Sequence, residues 1–241
     1  MIHRPLIHIY GPSGAGKTTF AEHLIRDRAG MLSAARCVRD DTLEDVHEFK
    51  ATQLPELRRY REAGAEKALE YRFPSRFAHV EEFYHSSLFD SHSIGFVLEG
   101  DLPLESADIG VFVVPPLPPR ASLLRRARAV APRPAGTAPD RWAIAKSYAG
   151  VEHARLVILN VRGRAQRPAA ERPAAERTAA EVAMLRKDEA VFRDVFGSWG
   201  YRTPITTVIA DLSAAGDPGL KKALLRVRRV FRDRDLVGPG G

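Results

Sequence analysis

The sequence predicts an α/β protein of the phosphate-loop NTPase-like kind, a mostly parallel sheet with helices on both faces. Three observations predict it. The apolar run Leu6-Ile7-His8-Ile9-Tyr10 passes straight into Gly11-Pro12-Ser13-Gly14-Ala15-Gly16-Lys17-Thr18-Thr19, which meets the phosphate-binding pattern G-x-x-x-x-G-K-[ST] at every required position. A second apolar run, Ile94-Gly95-Phe96-Val97-Leu98-Glu99-Gly100, ends in a carboxylate, the form of a strand that brings an acid to a metal ion. Two further apolar runs, in residues 107–114 and 155–160, lack polar alternation, as parallel strands covered on both faces do.

The loop comes first because its residue types follow from its chemistry. Gly11, Gly14 and Gly16 permit backbone conformations that a side chain disfavours, so successive N–H groups, with those of Ser13 and Ala15, can turn inward around a di- or triphosphate. The helix that follows, beginning near Thr19, adds its positive end. Lys17 is placed to reach the β- and γ-phosphates, and the Thr18 hydroxyl to ligate Mg²⁺, which takes only one or two protein oxygens. Phe20 and Leu24 fall on one face of this helix, and Gly30 stands where a helix C-cap belongs.

Residues 32–39 form a weaker strand candidate ending at Asp40-Asp41, where α/β nucleotide folds place metal-directing groups. In a second reading Asp41 or Thr42 caps a short helix through Leu43 and Val46. Residues 49–75 read as a polar helix interrupted near Gly64 and a strand from about Lys67 to Phe73. Arg58, Arg59 and Arg61, just before Ala63-Gly64-Ala65, form either an anion-binding fork or a solvated helix face. A connecting helix is expected from about Phe77 to Phe89; His79, His85 and His92 lack metal-ligand spacing.

After the strand ending near Val114, Pro115-Pro116-Leu117-Pro118-Pro119 stops regular structure. Residues 115–141 carry six arginines against Asp140 alone, a lid over phosphates or a solvated loop insertion. A helix from Arg141 to His153 and a strand from Arg155 to Asn160 follow. The pentads Arg167–Glu171, Arg172–Glu176 and Arg177–Glu181 are too short and polar to bury a core, so residues 163–177 read as a low-complexity loop. A helix from Thr178 to Phe196, a last strand within Thr203–Leu212 and a helix from Leu220 to Phe231 complete one domain over residues 1–241.

Composition limits the functional classes. The 241 residues are 44% hydrophobic and 28% charged, ordinary globular usage. No apolar run approaches the ~20 residues needed to cross a bilayer, and a soluble, cytoplasmic protein is expected. The single cysteine, Cys37, reads as a small buried hydrophobe. Much of the +7 formal charge lies in residues 115–141, and aromatics do not interleave with those arginines, which argues against a single-strand nucleic-acid platform.

Three stretches taken together, Gly11–Thr18, Arg59-Tyr60-Arg61-Glu62-Ala63-Gly64-Ala65 and Val97-Leu98-Glu99-Gly100, resemble the MobB family of phosphate-loop adapters in molybdenum-cofactor biosynthesis. The resemblance covers roughly residues 6–114. It implies a GTP-binding homodimer that assists attachment of GMP to molybdopterin, with weak hydrolysis and a molybdopterin guanylyltransferase or molybdoenzyme as partner. Carried over, Gly14, Ala15, Gly16, Lys17, Thr18 and Thr19 hold phosphates, Thr18 and Glu99 serve Mg²⁺, and Arg59 and Arg61 stand near the site. The chain departs from the family in its longer carboxy-terminal half. It also lacks Asn-Lys-x-Asp, for which the nearest place is Asn160-Val161-Arg162-Gly163, so GTP over ATP is implied by the resemblance alone.

Two classes of function follow. One is an adapter or metallochaperone-like GTPase, with Lys17 and Glu99 carrying slow hydrolysis. The other is an ATP-dependent small-molecule kinase in which Asp40 or Asp41 orients the acceptor hydroxyl. A nucleic-acid-dependent NTPase would need helicase-type motifs that the chain does not carry.

Overall fold

A computed structural model of the chain describes residues 4–12, 14–74, 87–100, 107–114, 153–160 and 206–235. The apolar runs are strands: β1 (Leu6–Tyr10), β2 (Leu32–Arg39), β4 (Ala68–Phe73), β5 (Gly95–Gly100), β6 (Ile109–Val114), β7 (Leu156–Asn160) and β8 (Thr206–Ala210), with a short β3 (His47–Lys50). They form one eight-stranded sheet in the order β3-β4-β2-β5-β1-β6-β7-β8. Neighbours run parallel except β3 against β4. Strands β1, β5, β6 and β7 are buried along their whole length, which is why they read as continuous apolar runs.

Alternation along each strand divides the core in two. One cluster joins Ile7, Ile9, Ala34, Val97, Val111 and Ile158 to helix α1 (Lys17–Asp27), helix α2 (Pro55–Glu62) and helix α3 (Pro218–Asp235), through Phe20 and Leu24, Leu57 and Tyr60, and Leu220, Ala223 and Val227. Arg228 of α3 donates through Nε to Asp27 of α1 at 2.6 Å, tying these two helices together. The second cluster, on the opposite face, contains Leu6, Ala35, Leu69, Tyr71, Phe96 and Leu98, with Leu88 from a 3-10 turn over Ser87–Asp90. Cys37 packs against it, and burial pushes its thiol up to about 12, leaving a neutral packing group. His8 is buried in β1 with its ring stacked on Tyr10 at 5.1 Å, and burial lowers it to about 3, so it is uncharged at neutral pH.

One expectation is corrected here. No helix runs through Leu43 and Val46: Asp40 Oδ1 accepts from the backbone N–H and the hydroxyl of Thr42, at 3.1 and 2.6 Å, and closes a turn. The chain then enters β3, whose polar His47-Glu48-Phe49-Lys50 pairs antiparallel with β4 at the edge of the described sheet. Around Gly64, by contrast, α2 does end and β4 does begin after it. The arginine-rich 115–141 segment, the 163–177 repeats and the helices expected over 141–153 and 178–196 lie outside the described residues, apart from His153, and so does most of the helix expected over 77–89. Among the described residues, no helix is long and apolar enough to cross a membrane.

Candidate functional site

The sheet topology decides where the site lies. β1 sits between β5 and β6, in register Ile9↔Glu99 and Tyr10↔Gly100 on one side and Tyr10↔Phe112 on the other. The loop leaving β1 therefore emerges at the carboxyl edge of three parallel strands, beside Glu99. Gly11 has φ 136°, and a Cβ there would stand 2.2 Å from the Val113 carbonyl oxygen, so only glycine lets the chain turn against β6. Gly16, with φ 106°, precedes α1, and its missing Cβ would stand 2.4 Å from Asn160 Nδ2. No acidic residue occupies the first turn of α1, so nothing there opposes an anion at the helix's positive end.

Lys17 is buried and its Nζ donates to the Gly11 carbonyl at 2.7 Å and to the Pro12 carbonyl at 3.3 Å, which folds the ammonium back over the loop. Thr18 and Glu99 meet directly: the Thr18 hydroxyl donates to Glu99 Oε1 at 2.8 Å. The other carboxylate oxygen, Oε2, accepts from the Tyr60 hydroxyl of α2. Glu99 and Tyr60 are only 5% and 1% exposed, so both carboxylate oxygens are fixed by donors inside the protein. Burial first, and then the charge of Glu99, push the Tyr60 phenol well above its ordinary value, so it stays a donor. The oxygens of Thr18 and Glu99 are the hard donors Mg²⁺ selects, and two protein oxygens are as many as it ordinarily takes beside phosphates. Among the described residues, no group of three or more His, Cys, Asp or Glu side chains could hold a metal ion without such help.

A cavity of about 350 Å³ opens above this constellation. Gly14, Gly16, Lys17, Thr18 and Thr19 form one wall, and Glu99 and Gly100, Arg36, Cys37 and Val38 of β2, and Arg59 of α2 form the other. The structure thus brings together Gly14, Gly16, Lys17, Thr18, Thr19, Glu99 and Arg59 from the sequence-expected set. Gly11 and Ala15 shape the loop from below, and Ser13 lies outside the described residues.

Two expected residues stand elsewhere. Asp40 is taken by the Thr42 turn and by Arg72 Nη1 at 3.7 Å, and it does not line the cavity; the hydrogen bonds from Thr42 hold its carboxyl below the usual range. Arg61 turns away from the cavity, its Nη1 donating at 2.7 Å to the Ala65 carbonyl in the loop that follows α2. Arg59 is at the cavity rim, with Nε 2.6 Å from Glu22 of α1.

Three residues to which the sequence reading gave no role in the site complete the arrangement. Tyr60 fixes Glu99, Arg36 faces the cavity, and Asn160 at the end of β7 donates to the Ala15 carbonyl at 2.7 Å while accepting from the Leu212 N–H at 3.3 Å. Asn160 holds the loop against the segment after β8, but aspartate and lysine do not follow it, and the residues beyond it lie outside the described set.

Two solved structures share this arrangement of elements. HypB from Helicobacter pylori, in complex with nickel, superposes with a TM-score of 0.51 at 10% identity over 99% of this chain and 91% of its own. The hydrogenase maturation factor HypB from Archaeoglobus fulgidus does so with a TM-score of 0.53 at 15% identity, over 95% and 90%. The chain has the phosphate-loop NTPase fold. No protein-family model and no curated protein sequence matches it.

Within the phosphate-loop fold, removing the Tyr60 hydroxyl is expected to loosen the Thr18–Glu99 pair. Tyr60→Phe leaves Glu99 Oε2 buried without its donor, costing about 1–3 kcal/mol of stability. Where Thr18 and Glu99 hold Mg²⁺, the Mg²⁺ concentration for half-saturation should rise about 10-fold. A Mg²⁺ titration at fixed nucleotide reads this, and an unchanged midpoint would give Tyr60 a packing role only.

Proposed function

We propose that this chain is a Mg²⁺-dependent, GTP-binding protein of the metallochaperone kind, a slow hydrolase whose nucleotide state governs contact with a partner in metal or cofactor assembly. The observation that carries the reading is the Thr18–Glu99–Tyr60 constellation beside the phosphate loop. Lys17 and the N–H groups of the loop and of the start of α1 bind and orient the phosphates, while Thr18 and Glu99 hold Mg²⁺. The metal, when bound, would neutralise negative charge on the phosphates. Burial of Glu99 keeps water away from the inner side of this pair. Metal handling is drawn from the likeness to the HypB structures, one of them in complex with nickel and another named a hydrogenase maturation factor. GTP is drawn from the Arg59–Ala65 run and its family resemblance. The protein acts in the cytoplasm, as a homodimer.

Titration of GTP against ATP with Mg²⁺, followed by nickel titration of the GTP- and GDP-loaded forms, tests this reading. GTP is expected to bind at least about 10-fold tighter, a difference of about 1.4 kcal/mol, and the two loaded forms are expected to differ in nickel affinity. ATP preference with a phosphorylated small-molecule product would instead make the chain a kinase.

A second reading, an adapter of the MobB kind with a molybdopterin guanylyltransferase or molybdoenzyme as partner, is favoured by one observation. Arg59-Tyr-Arg-Glu-Ala-Gly-Ala65 stands in the order that family has, and it delivers Tyr60 to Glu99. Nucleotide-dependent capture of such an enzyme by the purified protein, with no nickel effect, would select this reading.

A further inference from the structure

Among the described residues, three cations, Lys17, Arg36 and Arg59, and one carboxylate, Glu99, line the cavity. Lys17 belongs to the loop and Arg59 is paired with Glu22 at 2.6 Å, whereas Arg36 has no part in the reading above. Its position follows from register. Arg36 on β2 stands opposite Glu99 on β5 and opposite Glu70 on β4, so the three side chains form one lateral row on the face that carries α1 and α2, their strands about 5 Å apart.

Both neighbouring carboxylates are already engaged. Glu99 accepts from Thr18 and Tyr60. Glu70, 1% exposed, accepts Arg72 Nε at 2.5 Å on one oxygen and meets Arg36 Nη1 only at 3.3 Å on the other. That contact engages one of the five donors of a guanidinium. The Arg36 side chain is 39% exposed and faces the cavity, one strand beyond the Thr18–Glu99 pair as seen from the phosphate loop.

We propose that Arg36 binds the terminal phosphoryl group of a bound nucleoside triphosphate and so distinguishes triphosphate from diphosphate, with Glu70 positioning it. The inference rests on the nucleotide reading and deepens it. A phosphate chain held by the loop extends past Thr18 and Glu99 toward β2, and its last phosphoryl group carries the charge that a planar fork of donors binds best. A diphosphate stops short of that wall. Such a contact supplies what a switch needs, an interaction made in one nucleotide state and absent in the other.

The test measures binding of a non-hydrolysable GTP analogue and of GDP, both with Mg²⁺, to wild type, Arg36→Gln and Arg36→Lys. Arg36→Gln is expected to lose about 10-fold or more in triphosphate affinity, with diphosphate affinity unchanged, and Arg36→Lys to recover part of the loss. Because Arg36→Gln leaves Glu70 with one fewer cation, the double variant Arg36→Gln/Glu70→Gln removes the pair together and is expected to show the same selective loss. Equal weakening of both nucleotides, or no change in either, overturns the role of Arg36. Failure of the wild type to bind either nucleotide overturns the nucleotide reading itself.

Discussion

Lys17→Ala is expected to weaken Mg²⁺-nucleotide binding by about 100-fold or more, the loss of charge-assisted hydrogen bonds to phosphate at a site shielded from water. The fold should survive. Lys17 is buried, and its hydrogen bonds to the carbonyls of Gly11 and Pro12 stay within the loop it belongs to. Equilibrium titration with a fluorescent nucleotide, alongside thermal unfolding of the same samples, separates the two effects. Wild-type affinity in the variant would remove the phosphate role of the loop, and with it every functional reading offered above.

Glu99→Gln is the second large effect. Glutamine preserves the shape of the side chain and can still accept from Thr18 or Tyr60 through its oxygen, yet it removes the negative charge that Mg²⁺ needs. Metal-dependent hydrolysis should fall by about 10- to 100-fold, while nucleotide binding without Mg²⁺ changes little. Single-turnover hydrolysis across a Mg²⁺ series measures this. Equal rates in the two proteins would return Glu99 to being a strand end that anchors α2 through Tyr60.

What could be read from the chain depended on whether the cause was local. The loop glycines, the apolar runs of β1, β5, β6 and β7, and the helix that leaves the loop each announce themselves within a few residues, although that helix starts at Lys17 rather than near Thr19. β3 does not: His47-Glu48-Phe49-Lys50 has no apolar run, because an edge strand with largely exposed side chains is chosen by its hydrogen-bonding partner rather than by burial. Tyr60, Arg36 and Asn160 escaped for a related reason. Each acts across 39, 34 or 145 positions, through registers and packing that no short window contains. Asp40 misled in the opposite way, since a carboxylate at a strand end near a phosphate loop and a carboxylate closing a turn with Thr42 look the same until the side chain is seen.

The bond from Asn160 to the carbonyl of Ala15 also bears on how the protein comes to be made. β1 is synthesised before both of its neighbours in the sheet, β5 and β6, and the far side of its loop is held by the still later Asn160 and, through it, by Leu212. A ribosome adding about 5–20 residues per second exposes β1 and the glycines well before those partners emerge. The loop is therefore made well before the partners that give it its finished shape. Nucleotide capture in the cell becomes a signature of a chain in which Ala15 has already met Asn160.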